Sequence, residues 1–103
     1  MQTETQNRTS TQAALEPLYH LILLDDNDHT YQYVVELLAH VFGYAPAKAF
    51  ALACVVDGEG RAIVETAGKE RVLTHQQRIH GYGADPRIPR CAGSMSAIIE
   101  EAA

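Results

Sequence analysis

Apolar positions along the chain change their period several times, and those changes divide it into elements. "YHLILL", Tyr19–Leu24, is an apolar run of strand length and predicts a buried strand. After a polar stretch, Val34, Leu37, Leu38, Val41 and Phe42 recur at i, i+3, i+4, i+7 and i+8, which is one face of a helix. Gly43 suits its C-terminus, and either Asp28 or Thr30 suits its N-cap. Pro46 fits the first turn of a second helix, with Ala49, Leu52, Ala53 and Val56 as a narrow stripe of small residues. "DGEG", Asp57–Gly60, is expected to break that helix, and Arg61–Thr66 to form a short strand. A third helix is expected over Lys69–Tyr82, with Val72, Ile79 and Tyr82 inward. "GADPRIPRCAG" reads as a loop with two prolines, and "SMSAIIE" as a last strand at a sheet edge or beside the first. The order β-α-α-β-α-β predicts a small two-layer α+β sandwich, three strands with helices packed on one face. Residues 1–17, rich in Thr, Gln and Ser without periodicity, predict a flexible extension ahead of a domain over 18–103.

Composition narrows the function class. A chain of 103 residues, 47% apolar and 20% charged, is long enough for one modest core. Eight basic against thirteen acidic residues leave a net charge of −5, which argues against nucleic acid and favours a cationic partner. The two cysteines lack CxxC spacing and imply no disulfide framework; Cys54, among Ala and Val, is expected to be a small buried thiol. The N-terminus lacks a basic start followed by an apolar run, and no apolar stretch is long enough to cross a bilayer. A soluble cytoplasmic protein with no membrane partner is the expectation. Nucleophile elbow, HExxH and P-loop motifs are all missing, so neither an enzyme nor a cofactor is expected.

The unusual chemistry sits between the first strand and the first helix, where Asp25, Asp26, Asn27 and Asp28 follow one another. Acids and amides at a helix start cap backbone N–H groups and suit the positive end of the helix dipole. That accounts for one or two of them. A hard cation is a second reading, but the stretch lacks the spacing that wraps calcium, and Asp28-His29 alone is a weak transition-metal signal. Capture of an organic ammonium is a third. A peptide's α-amine is cationic near neutral pH and needs several acceptors. Tyr31 and Val34, one turn apart, stand ready to wall an apolar hollow beside the acids.

"YHLILLDDND…YVVELLAHVF" followed by "AKAFALACVVDGEGRA" resembles the ClpS family, adaptors that carry N-end-rule substrates to Clp AAA+ proteases. The similarity runs without a gap from Tyr19 to about Glu70, and "MSAIIEEA" resembles the family's closing strand and tail. The resemblance implies an antiparallel three-stranded sheet. It implies that Asp25, Asp26 and Asn27 of the turn, with Asp57 of the second helix, hold a substrate's α-amine. Tyr31, Val34, Ala53, Val56 and Met95 would then line the pocket for its first side chain. It further implies N-degron peptides and the N-terminal domain of a Clp ATPase as partners, Glu70 and His75 at the docking surface, and a monomer. The alternative is a ClpS-like interaction module without N-degron selectivity. Several positions depart from the family pattern: Asp25 stands where the family has Asn, Asp57 where it has His, and Tyr31 and Ala53 where it has Met. Arg87 and Arg90 lie in a connection longer than the family's usual one.

Overall fold

The computed structural model describes residues 16–26, 28–88, 91 and 93–102. Residues 1–15, most of the expected extension, lie outside the described residues, as do Asn27 and Arg90. The element order is β1 (Leu18–Leu24), α1 (Tyr31–Phe42), α2 (Pro46–Glu59), β2 (Arg61–Gly68), α3 (Lys69–His80) and β3 (Ala97–Glu101). This is the expected β-α-α-β-α-β sandwich. The sheet is antiparallel in the order β2-β1-β3, so the last strand is both an edge strand and the neighbour of the first.

β1 is central, and its alternation sets the core. Leu21 and Leu23 are fully buried against the helices. Ile22 points the other way, as strand geometry requires. It is buried all the same, and its cross-strand partners are Ile63 and Ile98. The helical face of α1 meets the sheet through Val34, Leu37, Leu38 and Val41, joined by Tyr33, which the periodicity did not single out; Phe42 is only half-buried. α2 contributes Ala49, Ala53 and Val56, small side chains that let it lie close to α1 and β2. α3 adds Val72 and Ile79, and two of its polar side chains hold the start of β3. The Ala97 N–H donates to His80 Nε2, and Gln76 donates to the Ala97 carbonyl.

Caps define the helix ends. Thr30 rather than Asp28 is the N-cap of α1, its hydroxyl oxygen accepting from the Tyr33 N–H at 3.0 Å. Gly43 closes α1 with φ 74°, and Pro46 opens α2 at its first turn. Three expectations are corrected. α2 does not break at Asp57 but runs through Gly58 to Glu59, because the turn that ends it is made by Gly60 at φ 83°. α3 stops at His80, so Tyr82 reaches inward from the following loop rather than from a helix. Cys54 is exposed, since α2 carries apolar residues on its outer side as well as on its core stripe. No helix among the described residues is long and apolar enough to cross a membrane.

Candidate functional site

The site grows from the end of β1. The Leu24 N–H donates to the Ser96 carbonyl and the Asp25 N–H to the Gly60 carbonyl, both at 3.0 Å. The second bond ties the acidic turn to the C-terminal end of α2. There Ala53, Val56 and Asp57 share a helical face by their i, i+3, i+4 spacing, which holds only because α2 continues past Asp57. α1 begins at Tyr31 and presents Val34 one turn later. The loop before β3 brings in Met95. Together Asp25, Tyr31, Val34, Ala53, Val56, Asp57 and Met95 line one depression, with His29 and Thr30 completing its wall. Val34, Ala53, Val56 and Met95 are buried, and the free space is about 20 Å³, room for about one water molecule.

Tyr31 closes the mouth. Its hydroxyl donates to Asp57 Oδ2 at 2.6 Å, bridging the two helices, while its ring lies 5.8 Å from that of Phe50. The bond to a carboxylate, helped by partial desolvation and the charge of Asp57, pushes the phenol up to about 12. Tyr31 therefore stays a donor throughout the ordinary pH range. Asp26 is exposed and engaged within its own turn. Its Oδ1 accepts from the Asp28 N–H at 3.0 Å and faces His29 Nδ1 at 2.7 Å, so it is not part of the lining.

Asp85, which the sequence did not mark, and His29, marked only as a weak metal signal beside Asp28, hold this turn in place. Asp85, 1% exposed, sits in the loop between α3 and β3. Its Oδ2 accepts from the Thr30 N–H at 2.9 Å and from the Thr30 hydroxyl at 2.8 Å. Its Oδ1 accepts from the Arg87 N–H and guanidinium, and Arg87 reaches on to Glu36. Burial alone would raise the Asp85 carboxyl; the hydrogen bonds from the backbone and side chains of Thr30 and Arg87 outweigh it and hold the group at about 2. His29, its side chain 3% exposed, spans from Asp26 to the Gly93 carbonyl, 2.9 Å from Nε2. The one signal available for Asp85 was an acid beside Pro86 in an otherwise unpatterned loop. Arg87, in the connection that is longer than the family's usual one, is thus a part of the clamp.

Glu70 is exposed in the first turn of α3, where its charge suits the helix dipole. His75 lies one turn further on, its Nδ1 2.7 Å from Glu65 Oε1 and its ring edge-on to Phe42. The two flank a surface hollow that also includes Lys69, Arg71 and Thr74. Among the described residues no group of three or more His, Cys, Asp or Glu side chains is arranged to hold a metal ion.

Carboxylates and apolar walls meet at a strand-to-helix turn of a small α+β sandwich, three helices over an antiparallel sheet. The family model for ClpS, the ATP-dependent Clp protease adaptor protein, matches residues 14–87. The chain belongs to this family, whose members are adaptors and not enzymes. It is 31% identical over 62 residues to the ATP-dependent Clp protease adapter protein ClpS of Rhodococcus jostii, a match covering 60% of this chain and 55% of that protein. With the corresponding protein of Streptomyces coelicolor it shares 30% identity over 82 residues, 78% of this chain and 85% of that one. The match thus spans little more than half the length of the first relative. Agrobacterium tumefaciens ClpS2, solved bound to L-phenylalaninamide, has the same fold, with a TM-score of 0.71 over 84% of this chain and 98% of that one at 19% identity.

Proposed function

We propose that the protein is an adaptor that binds the free N-terminal residue of N-degron substrates and delivers them to a Clp AAA+ protease. The observation that carries this reading is the depression, where two carboxylates, Asp25 and Asp57, adjoin the apolar surface of Val34, Ala53, Val56 and Met95. A peptide's first residue offers the matching pair of features, an ammonium with three donors and a side chain next to it. Asp25 and Asp57 receive the ammonium, with Asp26 and Asn27 in the same turn. The first side chain enters between Val34, Ala53, Val56 and Met95.

The free space of about 20 Å³ is too small for a large side chain. Admission therefore requires Tyr31 to leave Asp57. The incoming ammonium replaces the phenol as donor to that carboxylate, and the ring swings aside toward Phe50. The ligand named for Agrobacterium ClpS2, L-phenylalaninamide, has both a free α-amine and an apolar side chain, and so supports this ligand class. The exposed start of α3 around Glu70, with His75 one turn on, is the face offered to the N-terminal domain of the Clp ATPase.

The test is fluorescence anisotropy with short peptides carrying Phe, Leu, Val, Arg or Met at a free N-terminus, on the native protein and on Asp25→Asn. First-residue-dependent affinity that falls in the variant supports the adaptor reading. The Tyr31–Asp57 bond favours a second reading, in which the depression stays shut and the domain is an interaction module without first-residue selectivity. Uniformly weak binding across the panel would select it.

A further inference from the structure

A second cluster adjoins the acidic turn, sharing Asp26 and His29 with it, and the adaptor reading makes no use of its thiol. Cys91 Sγ is 3.3 Å from His29 Nε2, and His29 Nδ1 is 2.7 Å from Asp26 Oδ1. A thiol, an imidazole and a carboxylate thus stand in series, the arrangement in which a base oriented by a third group activates a nucleophile. Two further contacts complete the surroundings of the sulfur. The Asp85 N–H donates to Sγ at 3.3 Å, and the Cys91 thiol donates to the Gly93 carbonyl oxygen at 3.3 Å.

Hydrogen bookkeeping decides what this cluster does. Asp26 Oδ1 already accepts from the Asp28 N–H, so as a carboxylate it needs a hydrogen on His29 Nδ1. His29 Nε2 also lies 2.9 Å from the Gly93 carbonyl oxygen, a contact that attracts only if Nε2 carries a hydrogen too. The adjacent thiol, 3.3 Å away, is a source within direct reach. Moving the Cys91 proton to Nε2 exchanges the thiol's hydrogen bond to the Gly93 oxygen for a shorter one from Nε2 and leaves the sulfur anion with the Asp85 N–H as donor. Packing fixes the orientation of the ring, whose side chain is 3% exposed and which lies 4.4 Å from the Tyr33 ring.

We infer that Cys91 is a nucleophilic thiol, a modification site for hydrogen peroxide and similar two-electron oxidants. The thiolate attacks one peroxide oxygen; the S–O bond forms as the O–O bond breaks, sulfur is oxidised to the sulfenic acid and the peroxide is reduced. The leaving hydroxide takes the proton from His29 Nε2 and departs as water, so the imidazole ends neutral. Cys54 is the internal reference. It is exposed on α2, whereas Cys91 is only partly exposed, so accessibility alone ranks them in the opposite order.

The experiment treats the full-length folded protein with hydrogen peroxide and dimedone and follows each cysteine by peptide mass spectrometry. Cys91 is expected to be labelled faster than Cys54 by on the order of tenfold or more; the preference should vanish in urea, where both thiols are equally accessible. His29→Asn should slow Cys91 and leave Cys54 unchanged, with circular dichroism confirming the fold. If that variant does not fold, Asp26→Asn, which removes only the orienting group, should give a reduced Cys91 rate. Labelling of Cys54 as fast as or faster than Cys91 in the folded native protein would overturn the inference. So would a Cys91 rate unaffected by a folded His29 or Asp26 variant.

Discussion

Replacing Asp85 by Asn tests the clamp that fixes the acidic turn. The carboxylate accepts four hydrogen bonds, two from Thr30 and two from Arg87, at 2.8 to 3.2 Å. An amide in its place brings an NH₂ group toward donors, so at least one of the Thr30 or Arg87 groups loses its acceptor. A carboxyl held at about 2, against an ordinary value of 3.8, corresponds to about 2 kcal/mol of stability carried by the ionised form. The folded value is the depressed one, so this contribution is fully present above pH 3.8 and is lost as pH falls through about 2. Asp85→Asn should therefore unfold with about 2 kcal/mol less stability at pH 7, or a Tm lower by about 10 °C for a domain of this size. The gap between native and variant should narrow below pH 4 and close near pH 2. Urea denaturation followed by circular dichroism at pH 7, 5, 3 and 2 measures it. A variant as stable as the native protein at pH 7, or a gap that persists unchanged at pH 2, would refute the clamp.

Three further perturbations bear on the depression and its frame. Tyr31→Phe removes the donor that occupies Asp57 and should leave Tm unchanged while tightening N-degron peptides several-fold; in ultraviolet titration the variant should lose a tyrosine ionisation near pH 12 that the native protein shows. Ala53→Met fills a buried position beside only about 20 Å³ of free space, so it should destabilise by about 1–3 kcal/mol in thermal melts and abolish peptide binding. Gly60→Ala forces a side chain into the left-handed conformation at φ 83° and should cost about 1–2 kcal/mol, read by urea denaturation.

Much of the fold was legible because its signals are local. The period of Val34, Leu37, Leu38 and Val41 marks α1, Gly43 and Pro46 punctuate the helix pair, and the apolar run before Asp25 marks the central strand. The apolar lining at Val34, Ala53 and Val56 followed from the same periodicity once the family resemblance aligned the elements. Three things were hidden, each for a physical reason. α2 is apolar all round, so pattern alone could not tell that Cys54 faces outward. Its end depends on the backbone conformation of Gly60, not on the polarity of Asp57–Gly60, and the carboxylate of Asp57 owes its position to that extra turn. The contacts of Thr30 with Asp85 and of His29 with Cys91 join residues more than fifty positions apart across a loop of no period. Only the closed three-dimensional structure brings them together.

The central claim is recognition of a free α-amine, and acetylation isolates it. Two peptides identical except for an N-terminal acetyl group, both beginning with Leu and labelled far from that end, would be titrated with the native protein by fluorescence anisotropy. The free peptide should bind saturably, with a loss of at least about a hundredfold on acetylation, since the cation that meets Asp25 and Asp57 is gone. Equal affinity for the two peptides would contradict it.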